Sequence, residues 1–584
     1  MYLNEVFISY KSILLSMQKL DNIIYYSASD FTKFIECRYA SFTDYLSLTE
    51  DLKKTETSYT LKLFQEKGYL HEKNYLNQLK QDYSNIVEIN EKTLEEKIKK
   101  TNEALKSGAD IIFQAAFTSD NLIGYADFLI KKNTPSALGD YSYEVIDTKN
   151  STKERAKFLL QLCFYNELLS KAQGVDPIHT HLVMGDNSKH TYIVSEYIHY
   201  YRKNKKRFLD FVNSKKSNLY PEKCNYCELC DWQERCENIW KEDNYINQIA
   251  GINKNQINKI KKTDIKTIKE LSNINLTKNE IDIYPLTLYR LKSQAALQQH
   301  KLDTGEDKFE ILELSKDRGF NRMPLSSDND LYFDIEGDPF FEGGRLEYLF
   351  GIYFIENKKT IFKAFWGTNH KEEEKNFRSL MSFIWKHIQK YPESNIYHYS
   401  NYEVEALKRL SNQYAIAEHE LDNLLRREKF RDLFTIVRES IRISEPAYSI
   451  KNLETFYMEK RLQNIKNGGE SIEIFHLWLQ RKNKKYLDEL EEYNKIDCIS
   501  THDLHEWLLK LRPDNSQWFT SNYLEKENNE KIDSKKEWEI EFDEYKKKLS
   551  DLSLKNEDSL PITIINLLEY HSRDKKSEWW RQFD

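Results

Sequence analysis

The sequence predicts a multidomain α/β protein, and three observations carry that prediction. Its 584 residues are too many for a single hydrophobic core. Hydrophobic residues make up 40% of the chain, with 38 Tyr and 30 Phe, which suffices for several packed cores and argues against disorder. Short β-rich runs alternate with helical patterns before residue 240 and again after residue 310. Only 16 Gly and 10 Pro leave little room for long flexible linkers.

Four regions are expected: 1–242, a helical linker at 243–309, 310–515, and a charged helical tail at 516–584. In the first, SASDFTKFIECRYASF (27–42) reads as one Ser-capped helix. LIGYADFLI (122–130) and YEVIDTK (143–149) read as neighbouring strands, and ERAKFLLQLCFYNELLSKA (154–172) as a strongly periodic helix. The linker holds two short helices with a tight turn at 263–265, similar to a helix-hairpin-helix with Asp264 in place of the hairpin glycine. In the third region LYFDIEGDP (331–339) and EYLFGIYFI (347–355) read as paired strands. NIYHYS (395–400) reads as another strand and EEYNKIDCISTHDLHEWLLKL (491–511) as a closing helix.

A net charge of −7 excludes a uniformly basic surface, so any polyanion must meet a local groove of Lys and Arg. No apolar run reaches the length of a bilayer span, and the first residues lack a cleavable signal pattern, so a cytoplasmic location is expected. No G-x-x-x-x-G-K-[ST] loop is present, so no ATP motor is expected.

Two acidic constellations point to metal-assisted phosphodiester hydrolysis, in which carboxylates hold a hard divalent ion and a cation orients water or steadies developing charge. Asp127 lies on one strand, and Asp147 and Lys149 on the next share a face two residues apart. Upstream, KGYLHEKNYL carries His71 and Glu72; downstream, Gln161 and Tyr165 fall one helical turn apart. In this order the residues resemble the PD-(D/E)xK core of RecB-type nucleases, with its G-x-x-H-E helix, D-x-K strand and Q-x-x-x-Y helix. The resemblance implies a restriction-endonuclease-like domain in which His71, Asp127 and Asp147 bind Mg²⁺ or Mn²⁺, Lys149 is catalytic, and Gln161 and Tyr165 assist.

The second constellation places Asp334 and Glu336 on one face of a strand, and Tyr493 and Asp497 one turn apart on a late helix. It resembles RNase H-like exonucleases of the DEDDy type, which implies a 3′→5′ exonuclease domain, metal ligands at Asp334, Glu336 and Asp497, two ions, and a water-orienting Tyr493. The middle acid, usually Asp, is Glu403 here, with His398 and Tyr399 nearby and Asp432 a further candidate.

Cys224-x₂-Cys227-x₂-Cys230-x₅-Cys236 has metal-ligand spacing, and a structural zinc site using all four is one reading. YPEKCNYCELCDWQERC, with Cys37 upstream, also resembles the iron–sulfur nucleases of the RecB, AddB and CRISPR-associated families. That implies a 4Fe–4S cluster on Cys37, Cys227, Cys230 and Cys236 with Cys224 an extra, stapling a loop of about 190 residues. Cys163 and Cys498 are expected to be buried thiols.

The whole order resembles RecB-like nucleases that join both domains, and LLEYHSRDKKSEWWRQFD (567–584) resembles the segment that precedes a superfamily 1 helicase in longer members. The expected function is therefore a metal-dependent DNA nuclease acting on ends or single strands in repair, recombination or defence, with a separately encoded helicase as an implied partner. The rival is a DNA-binding adaptor for such a helicase with one or both sites inactive, and RNA stays open as a substrate. Backbone contacts are expected from YYRKNKKRFLDFVNSKK (200–216) and from Lys254, Lys259, Lys261, Lys262, Lys266 and Lys269.

Overall fold

The structure is a computed structural model. It describes residues 17–521, apart from 21–22, 152, 215–218, 277–280, 462–464 and 466, together with 544–549, 551–552, 563–564, 567 and 570. It divides into two compact units, 1–247 and 248–584. The charged tail expected at 516–584 lies mostly outside the described residues, as do 215–216 of the basic stretch and most of 567–584; residues 544–549 are helical.

The N-terminal unit is built on one mixed sheet. Its strands are β1 (Gln18–Leu20), β2 (Ile23–Ser27), β3 (Ile86–Glu88), β4 (Ile111–Ser119), β5 (Leu122–Lys132), β6 (Ser142–Thr148), β7 (His179–Val183) and β8 (Lys189–Ile193). The order runs β1-β2-β5-β6-β7-β8, with β4 on the other edge of β5 and β3 beyond it. The alternation read in LIGYADFLI and YEVIDTK gives each central strand two apolar faces, because helices cover both.

One face packs on α1 (Ala28–Glu36), α5 (Ala156–Gln173) and α6 (Val194–Asn213), with Phe31 meeting Phe164, Tyr201 and Phe208 ring to ring. On the other face Leu76 and Leu79 of α3 (Tyr59–Asp82) pack on Ile111, Phe113, Phe128 and Ile146. α4 (Leu94–Ser107) begins at a Thr93–Glu96 capping box and ends at Gly108, whose φ of +69° lies in the left-handed region that glycine favours.

The single helix expected over 27–42 is broken. Cys37 is extended (φ −150°, ψ 107°), ending α1 and beginning α2 (Arg38–Leu46), and its sulfur accepts from Ala40 N at 3.4 Å. Helical periodicity continues across the break, so the pattern could not show it.

The N-terminal unit also holds α7 (Gln233–Glu242); in the C-terminal unit α8 (Lys254–Ile260) and α9 (Ile268–Ser272) are the two short helices expected at 245–275, and α10 (Pro285–Thr304) follows, with Pro at its first turn. α10 is tied to the domain after it, since Gln294 Nε2 donates to Ile443 O at 2.8 Å and Tyr448 Oη to Gln294 Oε1 at 3.0 Å. β9 (Phe309–Ile311) pairs with β15 (Ile441–Ile443).

The main sheet comprises β10 (Leu331–Asp338), β11 (Leu346–Glu356), β12 (Lys359–Trp366), β13 (Ile396–His398) and β14 (Phe430–Asp432), in the order β12-β11-β10-β13-β14. Only β11 runs against the others. On one face, α11 (His370–Lys390), α12 (Tyr402–Tyr414) and α13 (Glu418–Arg426) bury Leu331, Phe333 and Ile335. α14 (Leu433–Ser440) and α17 (Lys484–Leu511) pack with Tyr332, Tyr353 and Tyr397. α15 (Ile450–Leu453) and α16 (Gly468–Arg481) lead into α17.

Candidate active sites

The first centre forms where the N-terminal sheet forks. One edge of β5 pairs with β2 at Leu122 and Ile123, then with β6 from Phe128 onward. Asp127 stands at the changeover, and its carboxylate accepts from Thr148 N and Thr148 Oγ1, both at 2.9 Å. Continuing the Phe128–Ile146 register by one residue sets Asp147 opposite it. Asp147 is only 1% exposed, and Lys149 Nζ lies 2.5 Å from its Oδ2. Burial pushes the Asp147 carboxyl up to about 7; Lys149 opposes this, and the charge of Asp127 adds to it.

Gln161 Nε2 donates to Tyr165 Oη at 2.8 Å, so the pair read one turn apart on α5 do share a face. Burial raises the Tyr165 hydroxyl well above its ordinary value, and Asp147, Asp127 and Glu72 all act on it. Glu72 is buried and takes a bond from Gln114, a strand residue held at φ 60°. His71 is buried, and its Nε2 has no hydrogen-bond partner among the described residues. An unpartnered imidazole nitrogen and two abutting carboxyls suit a cation. His71, however, does not close on Asp127 and Asp147 as tightly as the trio of the second centre, and remains a placement by resemblance.

All five cysteines read from the sequence gather beside the α1–α2 break. Cys224 and Cys227 sulfurs are 3.9 Å apart, and Cys224 N donates to Cys227 Sγ at 3.4 Å. Contact with Cys224, then burial, raises the Cys37 thiol far above its ordinary value. Cys224, set aside by the sequence reading as an extra, is thus the thiol closest in interaction to both. The segment is anchored by Trp232, whose Nε1 donates to buried Asp44 at 2.8 Å, and Asp44 also pairs with Lys33 at 2.7 Å. Cys163 and Cys498 are buried thiols.

The second centre lies where β10 meets α17. Asp334, Glu336 and Asp497 each offer a carboxylate oxygen, all within 4.8 Å of one another, the one such group of three candidate ligands among the described residues. Asn494, one turn before Cys498 on α17, donates to Asp334 Oδ2 at 2.6 Å. Gly351, paired with Asp334 across the ladder, makes this possible, because a Cβ there would stand 1.7 Å from Asn494 Oδ1. Ser471 Oγ donates to Glu336 at 2.6 Å, and a bulge between Glu336 and Gly337 re-aims the strand end.

Three carboxylates this close, Glu336 and Asp497 buried and Asp334 half-buried, cannot all ionise without a cation. Burial and the charges of Asp497, Glu336 and Glu403 raise Asp334 well above the carboxylate range. Burial and Asp497 push Glu336 up to about 8, and burial raises Asp497 against the pull of Arg461 and Lys451. An all-oxygen set of this kind fits Mg²⁺ or Mn²⁺. Tyr493 is buried beside it, with Lys451 Nζ donating to its Oη at 2.9 Å.

Glu403 stays outside the trio. It lies against His398, whose Nδ1 is 3.5 Å from Glu403 Oε2 and 2.6 Å from Ser400 O. Asp432 is not a ligand candidate here, because both its oxygens are spent on capping α14: they accept from Phe434 N, Thr435 N, Thr435 Oγ1 and Ser400 N. Tyr399 is likewise structural, its hydroxyl bonded to Tyr448 O.

Residues 331–509 match the RNase_H_2 family model, of the RNase H superfamily. The C-terminal unit therefore carries an RNase H-like domain. Its strand order, with only the second strand antiparallel, and the acids on its first strand and closing helix agree with that match. The superfamily is one of phosphodiester-cleaving enzymes, which makes a nuclease-type hydrolase the general class. No curated protein matches the chain. No helix among the described residues is long and apolar enough to cross a membrane.

Sequence reasoning missed Gln114, Asn494, Lys451 and Arg461. Asn494 was within reach, since it shares a helix face with Asp497 three residues on. Gly351 inside EYLFGIYFI was a usable sign of close approach. Lys451 and Arg461 arrive from a connection between β15 and α16 and leave no local pattern.

Proposed function

We propose that the chain is a metal-dependent DNA nuclease with two hydrolytic centres, one in each unit. The observation that carries the proposal is the Asp334–Glu336–Asp497 trio, whose carboxylates lie within 4.8 Å inside the domain matched to the RNase H superfamily. A divalent ion, when bound, neutralises phosphate charge and activates water at neutral pH. The chain's own residues do the rest: Asn494 and Ser471 hold Asp334 and Glu336 in place, and Tyr493 orients the attacking water from α17. In the N-terminal unit Asp127 and Asp147 would hold the ion, with His71 as a further ligand. There Lys149 steadies charge on the phosphate, and Gln161 and Tyr165 fix the strand being cut.

The gathered cysteines would hold a metal group, a 4Fe–4S cluster by the resemblance or else a structural zinc ion, and the 3.9 Å between the Cys224 and Cys227 sulfurs brings Cys224 into the set. Contacts to the DNA backbone would come from α6, where Arg202, Lys203 and Lys206 are exposed, while Tyr201 and Phe208 of the same stretch are core.

Digestion of end-labelled DNA in Mg²⁺ or Mn²⁺ tests the proposal. Lys149→Ala and Asp334→Ala should remove separable activities and together abolish cleavage. Unchanged digestion by the double variant would end it. Tight DNA binding without cleavage would instead favour an adaptor for a separately encoded helicase. A broad absorption band near roughly 400 nm reports the cluster.

A further inference from the structure

We infer that Gln114 is a positioning residue of the first centre, locking the helix that carries His71 and Glu72 to the strand pair that carries Asp127. The inference rests on the hydrolytic reading of that centre given above.

Two features of the β4–β5 ladder lead to it. Of the described non-glycine residues with positive φ, only Gln114 lies inside a strand; the rest stand at turns, bends or helix ends. A φ of 60° costs energy for any residue with a Cβ, and it persists in a sheet only where the surroundings impose it.

The ladder also loses its alternation at this point. Ile111 and Phe113, paired with Ile130 and Phe128, pack with Leu76 and Leu79 of α3. Ala115, paired with Ala126, packs with the opposite face, beside Phe31 of α1 and Leu168 of α5. Residues two apart on a strand should share a face, yet Phe113 and Ala115 do not, nor do Phe128 and Ala126. The slip falls between these pairs, where the register sets Gln114 opposite Asp127.

The slip has a use. Alternation from Ile112, which packs on the α1 and α5 side, would turn Gln114 to that same side. At φ 60° its amide reaches the other way and donates to Glu72 Oε1 on α3. Glu72 is buried, follows His71 directly, and acts with Asp127 and Asp147 on the Tyr165 hydroxyl, so this bond is made among the groups of the centre. Gln114 thus ties α3 to the ladder at the register of Asp127. It acts through Glu72 and the helix, as outer partners of metal ligands do.

The test uses the full chain carrying Asp334→Asn and Asp497→Asn, so that the second centre takes up no metal. Gln114→Gly removes the amide and relaxes the backbone. Calorimetric titration should show Mn²⁺ bound about tenfold more weakly or worse. In EDTA, peptides covering His71 and Glu72 should exchange their amide hydrogens about tenfold faster, while Tm stays near that of the parent. Gln114→Glu sets two carboxylates against each other and should weaken Mn²⁺ binding as well. Adding Glu72→Gln to it restores one donor and one acceptor with their places exchanged, and should recover most of the affinity. Parent affinity in Gln114→Gly, or no recovery in the exchanged pair, would overturn the inference; should Gln114→Gly fail to fold, the exchanged pair decides alone. Asp147→Asn in the same background separates the two levels. If it leaves Mn²⁺ uptake unchanged, or if the background chain takes up none, the hydrolytic reading of the first centre fails. If it removes uptake while Gln114→Gly keeps it, only the role of Gln114 falls.

Discussion

Replacing Glu336 by Gln should make the metal-free protein more stable in alkali and leave it unchanged in acid. Glu336 is buried beside Asp497, and its carboxyl is pushed from 4.5 up to about 8. The folded chain therefore keeps a proton that the unfolded chain gives up above pH 4.5. Proton linkage then makes stability fall as pH rises from about 4.5 to about 8, and level off beyond. At about 1.36 kcal/mol for each tenfold change in proton affinity, the loss reaches up to about 5 kcal/mol. Gln keeps the shape and the bond from Ser471 while staying neutral at every pH. Hydrogen exchange of β10 and α17 peptides in EDTA measures the local opening free energy. Variant and parent should agree within about 1 kcal/mol near pH 4.5 and differ by several kcal/mol at pH 8.5, with the variant the more stable. Adding Mg²⁺ should close the gap by stabilising the parent alone. A variant no more stable at pH 8.5 than its parent would refute the reasoning, because the acid would then carry no burden of burial or repulsion.

Gly351→Ala should cost about 1–3 kcal/mol and most of the activity of the second centre, since the new methyl meets Asn494 Oδ1 at 1.7 Å and dislodges the donor to Asp334. Chemical denaturation and exonuclease assays check it; wild-type activity would show that Asn494 is dispensable. Asp432→Ala should destabilise the domain by about 1 kcal/mol through loss of the α14 cap while leaving Mn²⁺ affinity unchanged. A marked fall in Mn²⁺ affinity would return Asp432 to the ligand set.

The juxtaposition of Asp334, Glu336 and Asp497 was legible because strand and helix periods do not resemble each other. Asp334 and Glu336 alternate onto one face of β10, and Tyr493, Asn494 and Asp497 recur on one stripe of α17, so local spacing groups side chains that the structure also brings together. The fork of β5 is the opposite case. Asp147 and Lys149 could be read as a pair from spacing alone, but that β2 and β6 share an edge and part at Asp127 is a long-range pairing with no signature in the run itself. The break at Cys37 was hidden because Phe31, Phe34 and Tyr39 keep helical spacing through a residue that is extended. Lys451 and Arg461 were invisible for the same reason as the fork: charge balance in a buried site is settled by tertiary packing, and lone cations in a connecting segment look like solvated ones.

In the proposed function Asp334, Glu336 and Asp497 cut phosphodiester bonds with a divalent ion. Single-turnover digestion of a 5′-labelled single strand tests it most directly, using chain already silenced by Asp147→Asn, in Mg²⁺, with and without Asp334→Asn. The silenced chain should shorten the strand from its 3′ end, and Asp334→Asn should slow that shortening about a hundredfold or more without loss of DNA binding. Equal rates in the two chains, or no shortening in the first under either Mg²⁺ or Mn²⁺, would contradict it.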